Sequence, residues 1–309
     1  MRDVCTTAVR PILKWAGGKR QLLPELRPFY PRRFNRYVEP FLGSGAVFLD
    51  LHNTGLLDGR HVRLSDINAD VIGCYRAVRD APDAVIAELR GLERDYRSRR
   101  AAYFYDVRDG AFNPARRAIQ ASRDPAGAYT PSLAAMLIFL NRTGFNGLFR
   151  VNARGEFNVP AGRYGNPLIC DESNLRAWSA TLGRRGVTLS TSAFDAVLAD
   201  AGEGDFVYLD PPYAPLNATA HFTSYTAGGF DAAQQEVLQR AVIELASRGA
   251  SVLLSNSAAP QIRDLYARHR GARQAGLTAR TVAARRAINS RAESRGPVRE
   301  YLITNVDRR

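Results

Sequence analysis

The sequence predicts an α/β fold built on a mainly parallel sheet, and three observations support this prediction. Short apolar runs alternate with helical patterns towards both ends of the chain, as in parallel sheets that are covered by helices. One such run, residues 206–209, has the length of a buried strand and is followed at once by two prolines. Between residues 81 and 180 the alternation stops, which indicates a segment inserted into the α/β core.

The apolar run at residues 206–209 leads into Asp210, Pro211, Pro212 and Tyr213. Neither proline can donate a ladder hydrogen bond, so Asp210 is expected at the carboxyl end of a strand, where open α/β sheets bind ligands. The Asp210 carboxylate, the Pro211 carbonyl and the Tyr213 ring could together hold a planar ring that bears an amino group. Taken alone, these four residues are equally consistent with a plain strand and turn.

A glycine turn precedes the first predicted helix. Gly17 and Gly18 require a turn, Lys19 follows it directly, and the helix is expected at residues 21–26. Backbone N–H groups and a lysine at such a turn could bind an anion, although the spacing is not that of a phosphate-binding P-loop. Trp15, just before the turn, is of a residue type that more often packs in a core.

A second glycine turn follows the strand predicted at residues 36–40. Gly43 and Gly45 lie between that strand and a helix expected at residues 46–51, a unit in which a ligand can approach the backbone closely. The third glycine of the dinucleotide-binding fingerprint is missing, so this turn alone is weak support for a nucleotide site.

The next predicted strand, residues 61–65, ends in Asp66. Asp66 lies about 20 residues past the glycine turn, the spacing at which an acidic residue binds ribose hydroxyls in such units. The alternative is a simple cap at the end of the strand. Asn68 is expected to cap the following helix, at residues 69–78.

The middle of the chain is rich in arginine and tyrosine. Helical patterns occur at residues 83–100 and 132–140, and an irregular basic loop follows, with a hairpin expected at residues 151–159. Long ordered loops in α/β proteins usually carry binding groups, so a functional loop is favoured over a solvated surface insertion.

The α/β alternation resumes in the last part of the chain. Strands are expected at residues 187–190, 206–209, 251–255 and 302–304. Asp231 and Gln234 resemble a capping box before a helix that runs to residue 248.

The charge of the chain indicates a polyanionic partner. Its 309 residues carry a formal net charge of +13 at pH 7. Lys14 and Lys19 are the only lysines; arginine suits bidentate contacts to phosphate and guanine, although a GC-rich genome also raises the arginine content. Residues 263–309 hold 12 arginines and four acidic residues, so this end carries much of the excess.

The numbers and spacing of the cysteines and histidines argue against some classes of protein. Three cysteines without paired spacing and four scattered histidines argue against a disulfide framework and a metal site, and they fit a reducing cytoplasm. We expect no signal peptide, and no stretch approaches the ~18 apolar residues of a membrane helix. Nucleic acid is therefore a better candidate than lipid, and a cytoplasmic protein associated with the nucleoid is expected.

Several short motifs occur together in one order along the chain. The four main motifs are Lys-Trp-Ala-Gly-Gly-Lys at 14–19, Val-Glu-Pro-Phe-Leu-Gly-Ser-Gly at 38–45, Asp-Ile-Asn at 66–68 and Asp-Pro-Pro-Tyr at 210–213. Further matching segments lie at 140–142, 145–148, 154–160, 222–225, 285–286 and 288–290. This order resembles the D12-class N6-adenine-specific DNA methyltransferases, and most closely the Dam type. The resemblance spans residues 11–305.

The resemblance implies a Rossmann-like sheet that binds S-adenosyl-L-methionine. Residues 8–80 and 181–309 would form this catalytic domain, and residues 81–180 an inserted, mainly helical target-recognition domain. The implied catalytic residues are Asp210, Pro211, Pro212 and Tyr213. The implied cofactor-binding residues are Trp15, Lys19, Glu39, Phe41, Gly43, Gly45, Asp66, Ile67 and Asp210.

The resemblance also implies methyl transfer to the N6 amino group of a flipped-out adenine in double-stranded DNA, without a metal. In the Dam type the DNA sequence is recognised by the loop that runs here from residue 145 to 164, which makes GATC the expected target. The implied DNA-binding residues are Lys14, Asn146, Leu148, Arg150, Pro160, Tyr164, Arg285 and Arg286. Gly165 departs from a family position that is often basic, and residues 83–128 match poorly.

Other classes of protein remain as alternatives. A methyltransferase that acts on RNA adenine or on a glutamine side chain would keep the fold, but such enzymes more often have Asn at the position of Asp210. A catalytically silent DNA-binding regulator is expected to have lost the Asp-Pro-Pro-Tyr motif, which is intact here. A nicotinamide oxidoreductase is disfavoured by the short glycine fingerprint.

Overall fold

The protein is described by a computed structural model. The structure describes residues 8–15, 17–215, 230–285 and 297–309, with only the backbone described at 284, 285, 297 and 298.

A seven-stranded sheet in the order β3-β2-β1-β4-β5-β7-β6 forms the centre of the fold. The strands are β1 Arg36–Glu39, β2 His61–Asp66, β3 Val187–Thr191, β4 Asp205–Leu209, β5 Ser251–Ser257, β6 Thr278–Arg285 and β7 Pro297–Thr304. Strands β1 to β5 pair in parallel, whereas β7 pairs antiparallel to both β5 and β6. The α/β fold class with a mainly parallel, Rossmann-like sheet is therefore confirmed.

The sheet extends further than the sequence patterns predict. Strand β6 was not expected, and β7 begins at Pro297 instead of residue 302. The physical reason lies in the residues of β6, where two arginines and short side chains replace the apolar run of a buried strand. Strand β6 lies at one edge of the sheet, where such a composition is tolerated.

Helices cover both faces of the sheet and form most of residues 81–182. They are α1 Leu23–Leu26, α2 Ala46–Asn53, α3 Ala69–Asp80, α4 Pro82–Tyr105, α5 Asn113–Gln120, α6 Pro131–Thr143, α7 Glu172–Leu182, α8 Phe194–Leu198, α9 Ala232–Ser247, α10 Pro260–Tyr266 and α11 Arg270–Gln274. A π-helical segment, Asp106–Phe112, joins α4 to α5, and three short 3-10 turns occur at Lys19–Gln21, Arg27–Phe29 and Phe145–Gly147.

Two predicted helix caps are present. The Asn68 side chain accepts a hydrogen bond from the Asp70 N–H at 3.0 Å and begins α3. The Asp231 side chain accepts one from the Gln234 N–H at 2.9 Å and begins α9. The Asn68 cap directly follows the carboxyl end of β2, so it fixes where α3 leaves the sheet.

The helical segment shares a hydrophobic core with one face of the sheet. Trp178 on α7 is fully buried and stacks on Tyr75 of α3 with 4.8 Å between the ring centroids. Phe139 on α6 contacts Tyr96 and Phe104 of α4 within the same core cluster. The hydrophobic core is continuous between the helical segment and the sheet. The division of the chain into a catalytic domain and an inserted domain, at residues 80 and 181, stays a prediction.

The hairpin predicted at residues 151–159 forms around an isolated antiparallel bridge between Val151 and Phe157. Asn113 at the start of α5 holds it through two bonds to the Phe157 backbone, at 3.0 and 2.9 Å. The Arg108 guanidinium donates to the Val159 carbonyl at 3.0 Å. Side chains of the π-helical segment and α5 therefore fix the backbone of the hairpin.

Arg116 on α5 joins the hairpin to helix α3. Its guanidinium pairs with the buried Asp70 carboxylate, with 2.8 Å between Nη2 and Oδ2, and also donates to the Gly155 carbonyl in the hairpin. The Tyr129 hydroxyl donates to the same carboxylate at 3.3 Å. Because the Asp70 carboxylate is buried, it requires these partners.

We predict that Arg116→Ala lowers the free energy of unfolding by about 3–5 kcal/mol, because Asp70 would keep a buried charge without its main partner. Urea denaturation followed by circular dichroism measures the change. The neighbouring Arg117→Ala is the matched control, because Arg117 contacts Glu156 at the surface and its loss should have little effect. Equal destabilisation by the two variants would contradict the assigned role of Arg116.

Candidate active site

Three acidic residues meet at the carboxyl edge of the sheet. Glu39 is the last residue of β1, Asp66 is the last residue of β2, and Asp210 directly follows β4. Strand β1 lies between β2 and β4, so the three strand ends are neighbours. The sequence predictions placed Asp66 and Asp210 at this edge, and the structure agrees.

The Asp210 carboxylate is held through one of its two oxygens. The Lys19 ammonium lies 2.7 Å from Oδ1, and the Ser255 hydroxyl of β5 donates to the same oxygen at 3.1 Å. The Ser255 hydroxyl in turn lies 3.1 Å from the Tyr208 hydroxyl. Within the described parts of the chain, Oδ2 accepts no hydrogen bond from another residue. One oxygen is therefore fixed, and the other can accept from a ligand.

Burial governs the electrostatics of Asp210. Its side chain is 21% exposed; burial raises the pKa of the carboxyl, and the Lys19 ammonium opposes that rise. The sequence analysis expected Lys19 at an anion or a cofactor. The structure instead places Lys19 against Asp210 and 4.6 Å from the centroid of the Tyr213 ring, and its contact with a cofactor stays a prediction.

Tyr213 is fixed at its hydroxyl end. The hydroxyl donates to Glu300 Oε2 on β7 at 2.7 Å. Burial, followed by the charges of Asp210 and Glu300, raises the pKa of the Tyr213 hydroxyl well above its usual value. The tyrosine therefore stays neutral, with its ring beside Asp210 and Lys19.

The second glycine turn is held directly by Asp66. The Gly43 N–H donates to Asp66 Oδ2 at 2.9 Å, and the Asn68 N–H donates to Oδ1 at 2.9 Å. The Tyr75 hydroxyl donates to the Gly43 carbonyl at 2.7 Å. Gly43 has φ +46°, and a Cβ there would lie 2.9 Å from the Trp15 ring. The close approach of the tryptophan therefore requires glycine.

Burial also raises the pKa of the Asp66 carboxyl, to about 6. The backbone N–H groups of Asn68 and Gly43 oppose this shift, because they stabilise the ionised form. Beside Asp66, the Ile67 side chain is 59% exposed, which is unusual for a large apolar residue. Across the turn, Phe41 is half-buried and stacks on Phe194 at 5.5 Å. The Asp66 carboxylate therefore lies between two patches of apolar surface.

Gly45 begins α2 with a left-handed backbone, at φ +66°. A Cβ at this position would lie 3.1 Å from the buried Trp178 ring. The glycine thus permits close packing of the turn on α7, and this packing by itself accounts for the residue. Its contact with a cofactor stays a prediction.

The predicted DNA-binding residues Lys14 and Tyr164 contact each other. The Lys14 ammonium lies 4.4 Å from the centroid of the Tyr164 ring. Burial, with the nearby charge of Arg142, lowers the pKa of Lys14. Next along the chain, Trp15 stacks on Phe149 at 5.5 Å. The N-terminal segment therefore connects the glycine turn of Gly43 with loop 145–164.

Arg150 is oriented by its own hairpin. Its Nε donates to Asn158 Oδ1 at 2.7 Å, and its Nη2 donates to the Asn158 carbonyl at 3.3 Å. Asn146 takes a left-handed backbone at φ +54°, Leu148 is half-buried, and Pro160 is exposed. These predicted DNA-binding residues lie together on loop 145–164, and their contacts with DNA stay predictions.

Other predicted positions lie partly or wholly outside the described residues. Arg285 is described only in its backbone, which pairs with Pro297. Arg286 and the matching segments at 222–225 and 288–290 are outside the described residues. In the described part of the chain, no group of three or more His, Cys, Asp or Glu side chains could hold a metal ion. None of the helices described has the length and apolar character needed to cross a bilayer.

Comparison with known proteins agrees with this geometry. A family model described as D12 class N6 adenine-specific DNA methyltransferase matches residues 15–280, which is most of the chain. The chain belongs to this family. It is thereby an adenine-specific DNA methyltransferase, as the sequence motifs predicted.

Three relatives show how much of this methyltransferase is shared. The chain is 34% identical over 301 residues to the type II methyltransferase M1.LlaDCHI of Lactococcus lactis subsp. cremoris, covering 96% of this chain and 95% of the relative. It is 38% identical over 307 residues to M.MjaIII, a type II methyltransferase of Methanocaldococcus jannaschii, covering 96% and 99%. It is 36% identical over 293 residues to the DNA adenine methylase of Escherichia coli (strain K12), covering 95% and 94%.

The sequence analysis missed several residues that contact the Asp210–Tyr213 segment of the candidate site. Ser255 and Asn256 lie in β5, next to β4, and the three polar residues that follow its apolar run could have indicated them. Glu300 lies in the part of β7 that was not predicted. Gln235 on α9 gave no local signal, because its burial and its contacts with Pro212 and Asn256 arise only in the folded structure.

Glu39 differs from the other two acidic residues because it is 2% exposed and accepts a hydrogen bond from the Tyr37 hydroxyl at 2.7 Å. Burial raises the pKa of its carboxyl to about 8, and the charges of Asp210 and Asp66 add to the rise. The Tyr37 hydroxyl and the Phe48 N–H oppose it. Its contact with a cofactor stays a prediction.

The raised pKa of Glu39 predicts a specific pH dependence of stability. The unfolded glutamate ionises near pH 4.5 and the folded one near pH 8. Its contribution is thus fully present below the unfolded pKa and is lost as pH rises towards 8. Relative to wild type, Glu39→Gln should gain stability across this window, by at most about 1.4 kcal/mol per pH unit. Urea denaturation of both proteins from pH 5 to 8 measures it, and a difference independent of pH would contradict the shift.

Proposed function

We propose that this methyltransferase moves a methyl group from S-adenosyl-L-methionine to the N6 amino group of a flipped-out adenine, within GATC sites of duplex DNA. One observation carries the proposal. Asp210 has one oxygen fixed by Lys19 and Ser255 and a second oxygen without a described partner, beside the neutral ring of Tyr213.

This arrangement suits an aromatic amine as the acceptor. The N6 lone pair of adenine is delocalised into the ring, so the amine is a poor nucleophile. Asp210 Oδ2 and the Pro211 carbonyl would each accept one amino hydrogen and favour a pyramidal nitrogen with a free lone pair. These bonds strengthen towards the transition state, which is the condition for catalysis. The base must leave the duplex to reach them, and the Tyr213 ring would support its face.

Lys19 would contribute by keeping Asp210 ionised. Burial alone raises the pKa of this carboxyl, and the ammonium at 2.7 Å counteracts it. The same ion pair fixes which oxygen faces away from the strand end. We infer that Lys19 orients the acceptor, in addition to any contact it makes with the cofactor.

The residues near Asp66 fit S-adenosyl-L-methionine. Asp66 Oδ1 and Oδ2 each accept one backbone N–H bond, so both keep capacity to accept from the hydroxyls of a ribose. Ile67 and Phe41 supply apolar surface for a flat ring. Gly43 lets the Trp15 ring approach the turn beside Asp66. When bound, the cofactor supplies a methyl group activated by a sulfonium. The chain's own role is to align the acceptor nitrogen with that methyl group.

The assignment of GATC rests on loop 145–164. Leu148, Arg150 and Pro160 match the positions that the Dam type uses to contact bases, and a relative named DNA adenine methylase is 36% identical to this chain over 293 residues. Asn158 holds the Arg150 guanidinium in one orientation, which suits a bidentate contact to a guanine edge. Other relatives bear only the name type II methyltransferase, and that name does not give a recognition sequence. The choice of GATC therefore depends on the residues of loop 145–164.

We predict that Asp210→Asn lowers the methyl-transfer rate by about 100-fold or more. The new amide would turn its oxygen to Lys19 and Ser255, so its NH2 group would face the adenine amine as a donor instead of an acceptor. Single-turnover transfer of labelled methyl groups to a GATC duplex measures the rate, and calorimetry checks that S-adenosyl-L-methionine still binds. Asp200→Asn, at an exposed ion pair, is the control. Unchanged turnover in Asp210→Asn would overturn the mechanism.

We predict that Arg150→Ala reduces discrimination by about 1–3 kcal/mol, so that GATC loses more rate than sites with one altered base pair. Rates on the cognate duplex and on single-mismatch duplexes give the ratio. Arg154→Ala, at the exposed tip of the same hairpin, should leave that ratio unchanged. If Arg150→Ala slows all duplexes by the same factor, the residue only contacts phosphate and the GATC assignment loses its main support.

A further inference from the structure

Both peptide groups that flank Tyr213 are held by buried amide side chains. On one side, Gln235 Nε2 on α9 donates to the Pro212 carbonyl at 3.0 Å. On the other side, Asn256 Oδ1 on β5 accepts from the Ala214 N–H at 3.2 Å. Helix α9 therefore fixes the backbone before Tyr213, and strand β5 fixes the backbone after it.

The two amides also bond to each other and to a hydroxyl. Asn256 Nδ2 donates to Gln235 Oε1 at 3.1 Å, and Asn256 Oδ1 also accepts from the Ser257 N–H at 2.8 Å. The Ser257 hydroxyl donates to the Ala214 carbonyl at 2.6 Å. Gln235, Asn256 and Ser257 are 1%, 0% and 1% exposed. Burial makes each of these bonds costly to lose.

The backbone contacts also fix which way each amide points. A carbonyl can only accept a hydrogen bond, so the group facing Pro212 must be the NH2 end of Gln235. A backbone N–H can only donate, so the group facing Ala214 must be the oxygen of Asn256. The remaining ends then match, donor to acceptor. Only one orientation of each side-chain amide therefore satisfies all the hydrogen bonds of the network.

We propose that Gln235 and Asn256 are positioning residues for methyl transfer, which hold the backbone of residues 210–214 in its reactive geometry. The proposal rests on the function proposed above for Asp210 and Tyr213. Neither amide is assigned a contact with the DNA or the cofactor. They act through the Pro212 carbonyl and the Ala214 N–H.

The conformational freedom of the stretch explains why such anchors are needed. The proline rings fix φ at residues 211 and 212, but rotation about the Cα–C bonds of Pro211 and Pro212 and around Tyr213 stays free. Those rotations set the direction of the Tyr213 ring and the plane of the Pro211 and Pro212 carbonyls. Glu300 fixes only the far end of the ring, through the hydroxyl. The amide pair fixes the near end, so the ring and the acceptors keep one relative placement.

Gln235→Glu tests the proposal because it replaces only the side-chain NH2 group by an oxygen and keeps the length of the side chain. The carboxylate keeps an oxygen for Asn256 but places a second oxygen against the Pro212 carbonyl in place of a donor. Gln239→Glu is the matched control. Gln239 lies one turn further on α9, is 5% exposed, and donates through Nε2 to the Leu265 carbonyl at 2.6 Å. It thus has the same chemistry without contact to the catalytic stretch.

The expected result is a loss of kcat with little change in the KM for the cofactor. At pH 9, Gln235→Glu should lower kcat by about 10- to 100-fold, as small misplacements of reacting groups do. At lower pH the new carboxyl becomes protonated and can donate to the Pro212 carbonyl, so kcat should recover towards wild type. Gln235→Met, which has no donor at any pH, should show the loss without the recovery.

Other charged and polar groups near α9 are common to all the variants. Glu236 and Arg240 on α9, Asp264 on α10 and His269 before α11 line one surface groove together with Gln235 and Gln239. Asp210 and Tyr213 belong to the stretch itself, and Lys19 and Glu300 contact it from the other side in every variant. These groups therefore affect the pH profile of kcat equally in every variant. Their effect is removed when each profile is divided by that of wild type and compared with the profile of Gln239→Glu.

Three outcomes separate this inference from the proposed function. If Gln235→Glu and Gln239→Glu show the same kcat at every pH while Asp210→Asn remains inactive, the positioning role is wrong and the proposed function stands. If Gln235→Glu loses activity equally at pH 6 and pH 9, the residue is only structural and the proposal is overturned. If the wild type itself transfers no methyl group to adenine, the proposed function fails first.

Discussion

The site depends on the ion pair between Lys19 and Asp210, which lies at the end of the central strand β4. A carboxylate that is largely shielded from water needs a partner, and the described chain brings Lys19 to Asp210 as that cation. The pair joins the N-terminal glycine turn to the carboxyl edge of the sheet. It also decides which oxygen of Asp210 is occupied, and so which one can accept from a base.

A second constraint links the cofactor edge to loop 145–164. Trp15 lies against Gly43 on one side and stacks on Phe149 on the other. Helix α3, which starts beside Asp66, is joined to the hairpin through Asp70 and Arg116. The residues proposed for the cofactor and those proposed for sequence reading are therefore connected by packed contacts. A change in either place has a direct physical route to the other.

Local chemistry explains which parts of the sequence could be interpreted in advance. The prolines after β4, the glycine turn at Gly43 and the cap at Asn68 each act within a few residues, so their patterns predicted β4, the turn and α3 correctly. Gln235 and Glu300 meet the catalytic stretch only after long excursions of the chain, 23 and 87 residues away from their partners. No local pattern marks such contacts.

The most direct test of this account is the position of the target adenine in a crystal of the chain with a non-reactive cofactor analogue and a GATC duplex. The account predicts an adenine outside the helix, with N6 about 2.7–3.2 Å from Asp210 Oδ2 and from the Pro211 carbonyl, and its ring on Tyr213. Lys19 should remain on Oδ1. An adenine that stays stacked in the duplex, or one whose N6 bonds to neither acceptor, would contradict the central claim.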